Sequence, residues 1–138
     1  MPYIEVYYHI VWSTKNRSPA ITNVIEKKIF EYIGLKIFGL GGYLYAINGV
    51  SDHLHLIVSV PVTIPIAKFV GQIKAVSSTK INKIFFELGQ FRWQSGYSVF
   101  SIGRKELKSH IRYVENQKTH HAEGTSQFHL ELNNRTDS

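Results

Sequence analysis

Two histidines separated by a single residue stand in the segment SDHLHLIVSV, residues 51–60. Leu54, Leu56, Val58 and Val60 alternate along it as the apolar face of a half-buried strand. His53 and His55 then share the opposite face, about 6.6 Å apart at the rise of an extended chain. Two imidazoles aimed the same way are what one metal ion requires of neighbouring ligands, although two polar residues on a solvated sheet face give the same pattern. A second pair lies in RKELKSHIRYVENQKTHH, residues 104–121. If this segment is helical, Tyr113 and Gln117, four apart, project from one face, with His110 and His121 near the same stripe. Docked over the histidine face, such a helix could bring a phenol and a carboxamide to His53 and His55. Two imidazoles and an amide oxygen leave positions open for water or phosphate oxygens, a donor set suited to Mg²⁺ or Mn²⁺. The carboxylate used by most two-metal nucleases is missing. A phenol, with a pKa near ~10, is a poor nucleophile in water. It can nevertheless attack a phosphodiester that a metal has polarised. The product would be a phosphotyrosine link and a free hydroxyl, which is transesterification rather than hydrolysis.

The elements that must position these groups can be read from periodicity and punctuation. YIEVYYHIVWS (3–13) is dense in β-branched and aromatic residues and predicts a first strand, broken by TKNRSPAIT. Asn23 is a candidate N-cap for a helix over 24–38, where Ile25, Ile29, Ile33 and Ile37 recur every four residues, and GLGG stops it. A strand over 43–50 precedes the histidine strand with only Ser-Asp between them, so the two form an antiparallel hairpin. A second helix is expected over 64–85, with Ile66, Phe69, Val70, Ile73, Val76 and Ile84 tracing much of an apolar stripe and Lys68, Lys74, Lys80 and Lys83 largely off it. A fourth strand follows at 97–102, and Gly103 opens the third helix, with Glu106 in its first turn complementing the helix dipole. The order β-α-β-β-α-β predicts an α+β, ferredoxin-like fold with a central antiparallel sheet and one appended C-terminal helix that carries the tyrosine. The histidines then sit on an inner strand. Two crossover helices cover its leucine face, which leaves the third helix to cover the other. Residues 1–121 are expected to form one domain, and 122–138 a polar tail, partly ordered at best.

Composition bounds the partners. The chain has 138 residues, 43% hydrophobic and 19% charged, as expected of a globular domain. It has no cysteine, which excludes disulfides, thiolate metal sites and a thiol nucleophile. No secretory leader and no apolar run of ~20 residues is present, so a cytoplasmic protein without a membrane span is expected. Sixteen Lys and Arg against ten Asp and Glu give a net charge of +6, favouring a polyanionic partner such as nucleic acid.

The blocks SDHLHLIV, FRWQSGYSVFSI and YVENQKTHH, in this order and spacing, resemble the single-tyrosine HUH transposases of small bacterial and archaeal insertion sequences, over roughly residues 3–121. The resemblance implies that His53, His55 and Gln117 are metal ligands and Tyr113 the nucleophile. It implies a homodimer, often with composite active sites in which the tyrosine helix reaches the partner's histidines. It also implies binding of hairpins near element ends, cleavage of single-stranded DNA through a 5′-phosphotyrosine intermediate, and strand transfer with only Mg²⁺ or Mn²⁺ as cofactor. The pattern departs at Gly103, where the family commonly has a Ser or Ser-Pro cap, and in the tail after His121, which matches the usual charged, aromatic last helix poorly.

Further basic residues are candidates for DNA contact: Lys15 and Arg17 after the first strand, Lys74 and Lys80 with the Ser77 hydroxyl on the second helix, and Arg92 beside the potential stacking ring of Trp93. Asp52 reads as a turn aspartate, with orientation of His53 as the alternative. His120 and His121 read as helix-end residues near the negative pole of the dipole. Two other functions fit the same fold. A domesticated relative acting on genomic repeat hairpins would carry the same active-site residues. A non-catalytic single-strand-binding module would need exposed aromatics on its inner strands, where Tyr7 and His9 are available.

Overall fold

The computed structural model of the protein describes residues 4–85 and 90–119. Along it run β1 (Tyr7–Ser13), α1 (Asn23–Gly39), β2 (Tyr43–Val50), β3 (His53–Ser59), α2 (Ile66–Phe85), β4 (Ser98–Ile102) and α3 (Leu107–Glu115), with single 3₁₀ turns at Lys15–Arg17 and Arg104–Glu106. The four strands form one antiparallel sheet in the order β2-β3-β1-β4. This is the α+β, ferredoxin-like arrangement expected from the element order. β3 therefore has a hydrogen-bonded neighbour on both sides, and its side chains are held by β1 and β2 together.

One face of the sheet is a dry core. Ile10 and Trp12 of β1 and Leu54, Leu56 and Val58 of β3 pack with Ile25, Ile29, Ile33 and Ile37 of α1 and with Phe69, Val70, Ile73 and Ile81 of α2. The four isoleucines recur every fourth residue, so they form one stripe down α1. Burying each contributes about 2 kcal/mol, enough to fix which way β3 faces. On the other face Tyr7, Ala46, Ile57, Ile102 and Val114 form a smaller cluster, with Leu107, Ile111 and Tyr113 packed against it. That cluster is where α3 docks.

Several boundaries differ from those read from sequence. β1 begins at Tyr7 rather than residue 3: its register ends with Tyr7 opposite Ser59 on one side and Ile102 on the other, and beyond it the Val6 carbonyl accepts from the Val60 amide at 3.4 Å. The cap of α1 is Thr22, not Asn23. Thr22 is extended, and its hydroxyl accepts the Ile25 amide at 3.4 Å, so Asn23 is already helical. α2 starts at Ile66, two residues later than expected. The third helix opens with a 3₁₀ turn capped by Gly103 and becomes α-helical only at Leu107. Gly49, in β2, is required by close approach: a Cβ there would press on the backbone of His53 and Leu54. His120, His121 and the expected tail 122–138 lie outside the described residues. Among the described residues no helix is long and apolar enough to cross a membrane.

Candidate active site

The alternation of β3 places Leu54 and Leu56 in the dry core and turns His53 and His55 toward α3. Their ring centroids are 5.3 Å apart, and both residues are buried, at 3% and 0% exposure. Each ring is engaged through Nδ1. His53 Nδ1 donates to Asp52 Oδ1 at 2.7 Å, and His55 Nδ1 lies 2.9 Å from His9 Nε2. The Nε2 atom of each ring is buried and makes no hydrogen bond among the described residues. Asp52 thus sits in the hairpin turn, as expected, and also orients His53, the reading not favoured from sequence. Its other oxygen pairs with Arg17 Nε at 3.3 Å. The hydrogen bond from His53 holds the Asp52 carboxyl below the usual range, aided by the charges of His53 and Arg17 and opposed by burial.

α3 brings the phenol. Tyr113, half-buried, stands edge-on to His55 with ring centroids 6.0 Å apart, and 6.2 Å from His9. All three rings belong to one chain. Gln117 lies just past the end of α3 and is fully buried, with neither amide atom hydrogen-bonded among the described residues. The chain on either side of it is pinned to β2. Asn48 Nδ2 donates to the Glu115 carbonyl at 3.0 Å, and Lys118 Nζ donates to Asn48 Oδ1 at 2.6 Å and to the Gly49 carbonyl at 3.0 Å. Asn48 and Gly49 stand opposite His55 and Leu54 in register, which puts Gln117 at the histidine end of the sheet.

These residues fit a divalent ion by their chemistry. A metal-bound imidazole commonly donates its other N–H to a fixed acceptor, and both Nδ1 atoms have a partner in place. An amide buried without hydrogen bonds costs about 1–3 kcal/mol per group, an arrangement that a ligand would relieve. Among the described residues no three His, Cys, Asp or Glu side chains are placed to hold one metal ion together, so a three-ligand site here depends on the Gln117 amide.

Sequence reasoning offered His9 only as a platform aromatic of the rival binding module and missed its contact with His55. It is fully buried on β1, with Nε2 toward His55 and Nδ1 3.1 Å from Nδ1 of His110 on α3. Burial, then the charge of His110, pushes its pKa down to about 3, so the ring is neutral at ordinary pH. His110 is itself lowered by burial, against the attraction of Glu106. The available signal was the alternation of β1, which sets Tyr7, His9 and Val11 opposite Ile10 and Trp12. The cross-strand partner is not local and has no signature in sequence.

The candidate DNA contacts separate into three groups. Lys15 and Arg92, both exposed, line one cavity of about 200 Å³ together with Thr14, Asn16 and Ser18, at the end of β1 that adjoins His53. Arg17 is exposed beside it and bound to Asp52. Lys80 is exposed on α2, 5.6 Å above the Tyr32 ring, on the sheet face away from the histidines. Of the remaining two, Ser77 is corrected and Lys74 is engaged within the chain. Ser77 is fully buried, and its hydroxyl accepts from Trp93 Nε1 at 2.9 Å while donating back into its own helix, so it reaches no surface. Lys74 donates to the Gln94 and Gly96 carbonyls at 2.7 and 2.8 Å, tying down the loop before β4, and its partial burial lowers its pKa. Trp93 packs edge-on to Trp12 and Phe91 as a core plug. The inner strands offer no aromatic platform at these positions, since Tyr7 and His9 lie buried under α3.

Residues 3–117 match the family model described as "Transposase IS200 like". No curated protein matches the chain. Two solved structures share the fold. One is a provisionally assigned transposase from Deinococcus radiodurans R1, with a TM-score of 0.69, 22% identity, and coverage of 84% of this chain and 93% of that one. The other is a REP-associated tyrosine transposase bound to a REP hairpin, with a TM-score of 0.67, 16% identity, and coverage of 92% and 74%.

Proposed function

The chain belongs to the IS200-like transposase family, and on that premise we propose that it cleaves and rejoins single-stranded DNA at insertion-sequence ends through Tyr113. The observation that carries the reading is a phenol on α3 standing 6.0 Å, ring to ring, from an inner-strand imidazole whose neighbour His53 is oriented by a carboxylate. In the proposed step the Tyr113 hydroxyl oxygen bonds to phosphorus as the bond to the 3′-oxygen breaks. The phenolic proton leaves, and the departing 3′-oxygen takes one up. The 5′-phosphotyrosine ester keeps the bond energy for rejoining by a later 3′-hydroxyl. His53, His55 and the Gln117 amide would hold Mg²⁺ or Mn²⁺. The ion would supply charge to polarise the scissile phosphate. Lys15 and Arg92 would hold backbone phosphates next to the histidine end, with Arg17 beside them and Lys80 contributing only on the far face.

The substrate is read as a single strand carrying a hairpin, since a structural neighbour with this fold holds a REP hairpin. The active unit is read as a homodimer, although Tyr113 and His55 already meet within one chain. A domesticated enzyme acting on genomic repeat hairpins would use the same residues and be distinguished by the DNA it selects. The test is covalent capture. With Mn²⁺ and a pool of hairpin DNAs, a denaturation-resistant adduct should map to Tyr113 by mass spectrometry. It should fall to background in Tyr113→Phe, a loss on the order of 10⁴-fold or more. DNA binding that persists with no adduct in the wild type would leave a binding module in its place.

A further inference from the structure

Asp52 and His9 do the same job for different rings by different chemistry. Behind His53 stands a carboxylate, which can only accept, so the proton of that imidazole is fixed on Nδ1. Behind His55 stands another imidazole, and behind that a third: His55 Nδ1 to His9 Nε2 is 2.9 Å, and His9 Nδ1 to His110 Nδ1 is 3.1 Å. A neutral imidazole carries one N–H and one lone pair, so a row of three such rings has only two self-consistent polarities. In the first, His55 Nδ1–H donates to His9, His9 Nδ1–H donates to His110, and the His55 Nε2 lone pair faces the site. In the second every bond is reversed, and His55 Nε2 carries a proton where a cation would have to bind.

We propose that His9 and His110 are positioning residues that hold His55 in the Nδ1–H tautomer, so that its Nε2 lone pair is presented toward α3. This rests on the reading of His55 as a metal ligand. Geometry supports the coupled row in two ways, and the need to present a lone pair to a cation selects the first polarity. His9 is fully buried in an inner strand, with both ring nitrogens at hydrogen-bond distance from another ring. A space-filler there would need neither nitrogen, and Phe or Leu would fill it without desolvating polar groups. The row also runs from α3 to β3, because His110 lies one turn before Tyr113 on the same helix. The helix that delivers the phenol therefore also supplies the last member of the row that orients a ligand, and its docking prepares both halves of the site.

The test uses the full chain and two readouts. Long-range ¹H–¹⁵N spectra of the metal-free protein report the His55 tautomer, and Mn²⁺ titration reports affinity without DNA or turnover. Wild type is expected to show Nδ1–H at His55. His9→Phe should give a mixture of tautomers and weaken Mn²⁺ about 10- to 100-fold, the usual effect of removing such a partner. His9→Gln places an amide where Nε2 stood and should restore most of both. His110→Ala, at a partly exposed position, should shift both readouts in the same direction by less. An Nε2–H tautomer in the wild type would overturn the proposal, as would unchanged Mn²⁺ affinity in a folded His9→Phe. Undiminished Mn²⁺ affinity in His55→Ala would overturn the ligand reading beneath it, a result that the tautomer spectra of the His9 variants register separately.

Discussion

On β3 the side chains that point toward α1 and α2 are Leu54, Leu56 and Val58, whereas those that point toward α3 are His53, His55 and Ile57. β1 divides in the same way, with Ile10 and Trp12 on one side and His9 on the other. The strands and the depth of burial are the same, yet the content differs in kind. The first face contains what a core needs. The second buries imidazoles and a carboxamide, and several of their polar atoms find no hydrogen bond among the described residues. Stability alone would replace them with aliphatic side chains. The difference sets the α3 face apart as the one whose content stability does not explain, and it can be tested on stability as well as on activity.

The largest effect expected is acid sensitivity confined to the histidine face. His9 is held near a pKa of about 3 when folded, against 6.5 when exposed. Below pH 6.5 the unfolded chain therefore binds a proton that the folded chain refuses. The stability tied to His9 is complete above pH 6.5 and is lost as pH falls from there toward 3, up to about 5 kcal/mol in all. Urea midpoints of the metal-free protein at steps of pH should show this slope, and His9→Phe should lack that part of it. Equal slopes in the two proteins would mean that His9 is not buried as a neutral ring, and the contrast between faces would lose its strongest member.

Truncation on the opposite face should behave in the other way. Leu56 is fully buried between the helices, and Leu56→Ala should cost about 2–5 kcal/mol by opening a cavity. Its side chain points away from His55, so Mn²⁺ affinity and adduct yield should be unchanged at a temperature where both proteins are folded. A matching loss of metal affinity would show that the faces are coupled through β3 rather than independent.

How much of this was readable in advance follows the same division. The dry face was legible because its signals are local. Isoleucines every four residues gave α1, alternating leucines gave β3, and a two-residue link gave the hairpin. The His53/His55 pair and Tyr113 were legible for the same reason, being short spacings on single elements. What failed depended on distant partners. Ser77 looked like a surface hydroxyl among lysines until the chain returned Trp93 to it. The hold of Lys74 on the Gln94 and Gly96 carbonyls was invisible in the same way, because that loop lies twenty residues on. His9 gained its role only from the register of β1 against β3 and the docking of α3, neither of which leaves a mark in the composition of its own strand.

Gln117 offers the smallest effect and the sharpest sign. Both of its amide atoms are buried without hydrogen bonds among the described residues, at a site with no exposure. Gln117→Met keeps nearly the same length and removes the two orphaned groups. In most cores exchanging a native residue destabilises. Here the metal-free protein should gain about 1 kcal/mol in denaturant unfolding, because each unmet buried polar group carries a desolvation penalty. The same variant should bind Mn²⁺ less tightly and form less Tyr113 adduct. Stabilisation together with weaker metal binding would mean that this amide is retained against the interest of the fold. Destabilisation would mean that the amide already has partners in the chain, and the ligand set would then shrink to the two histidines.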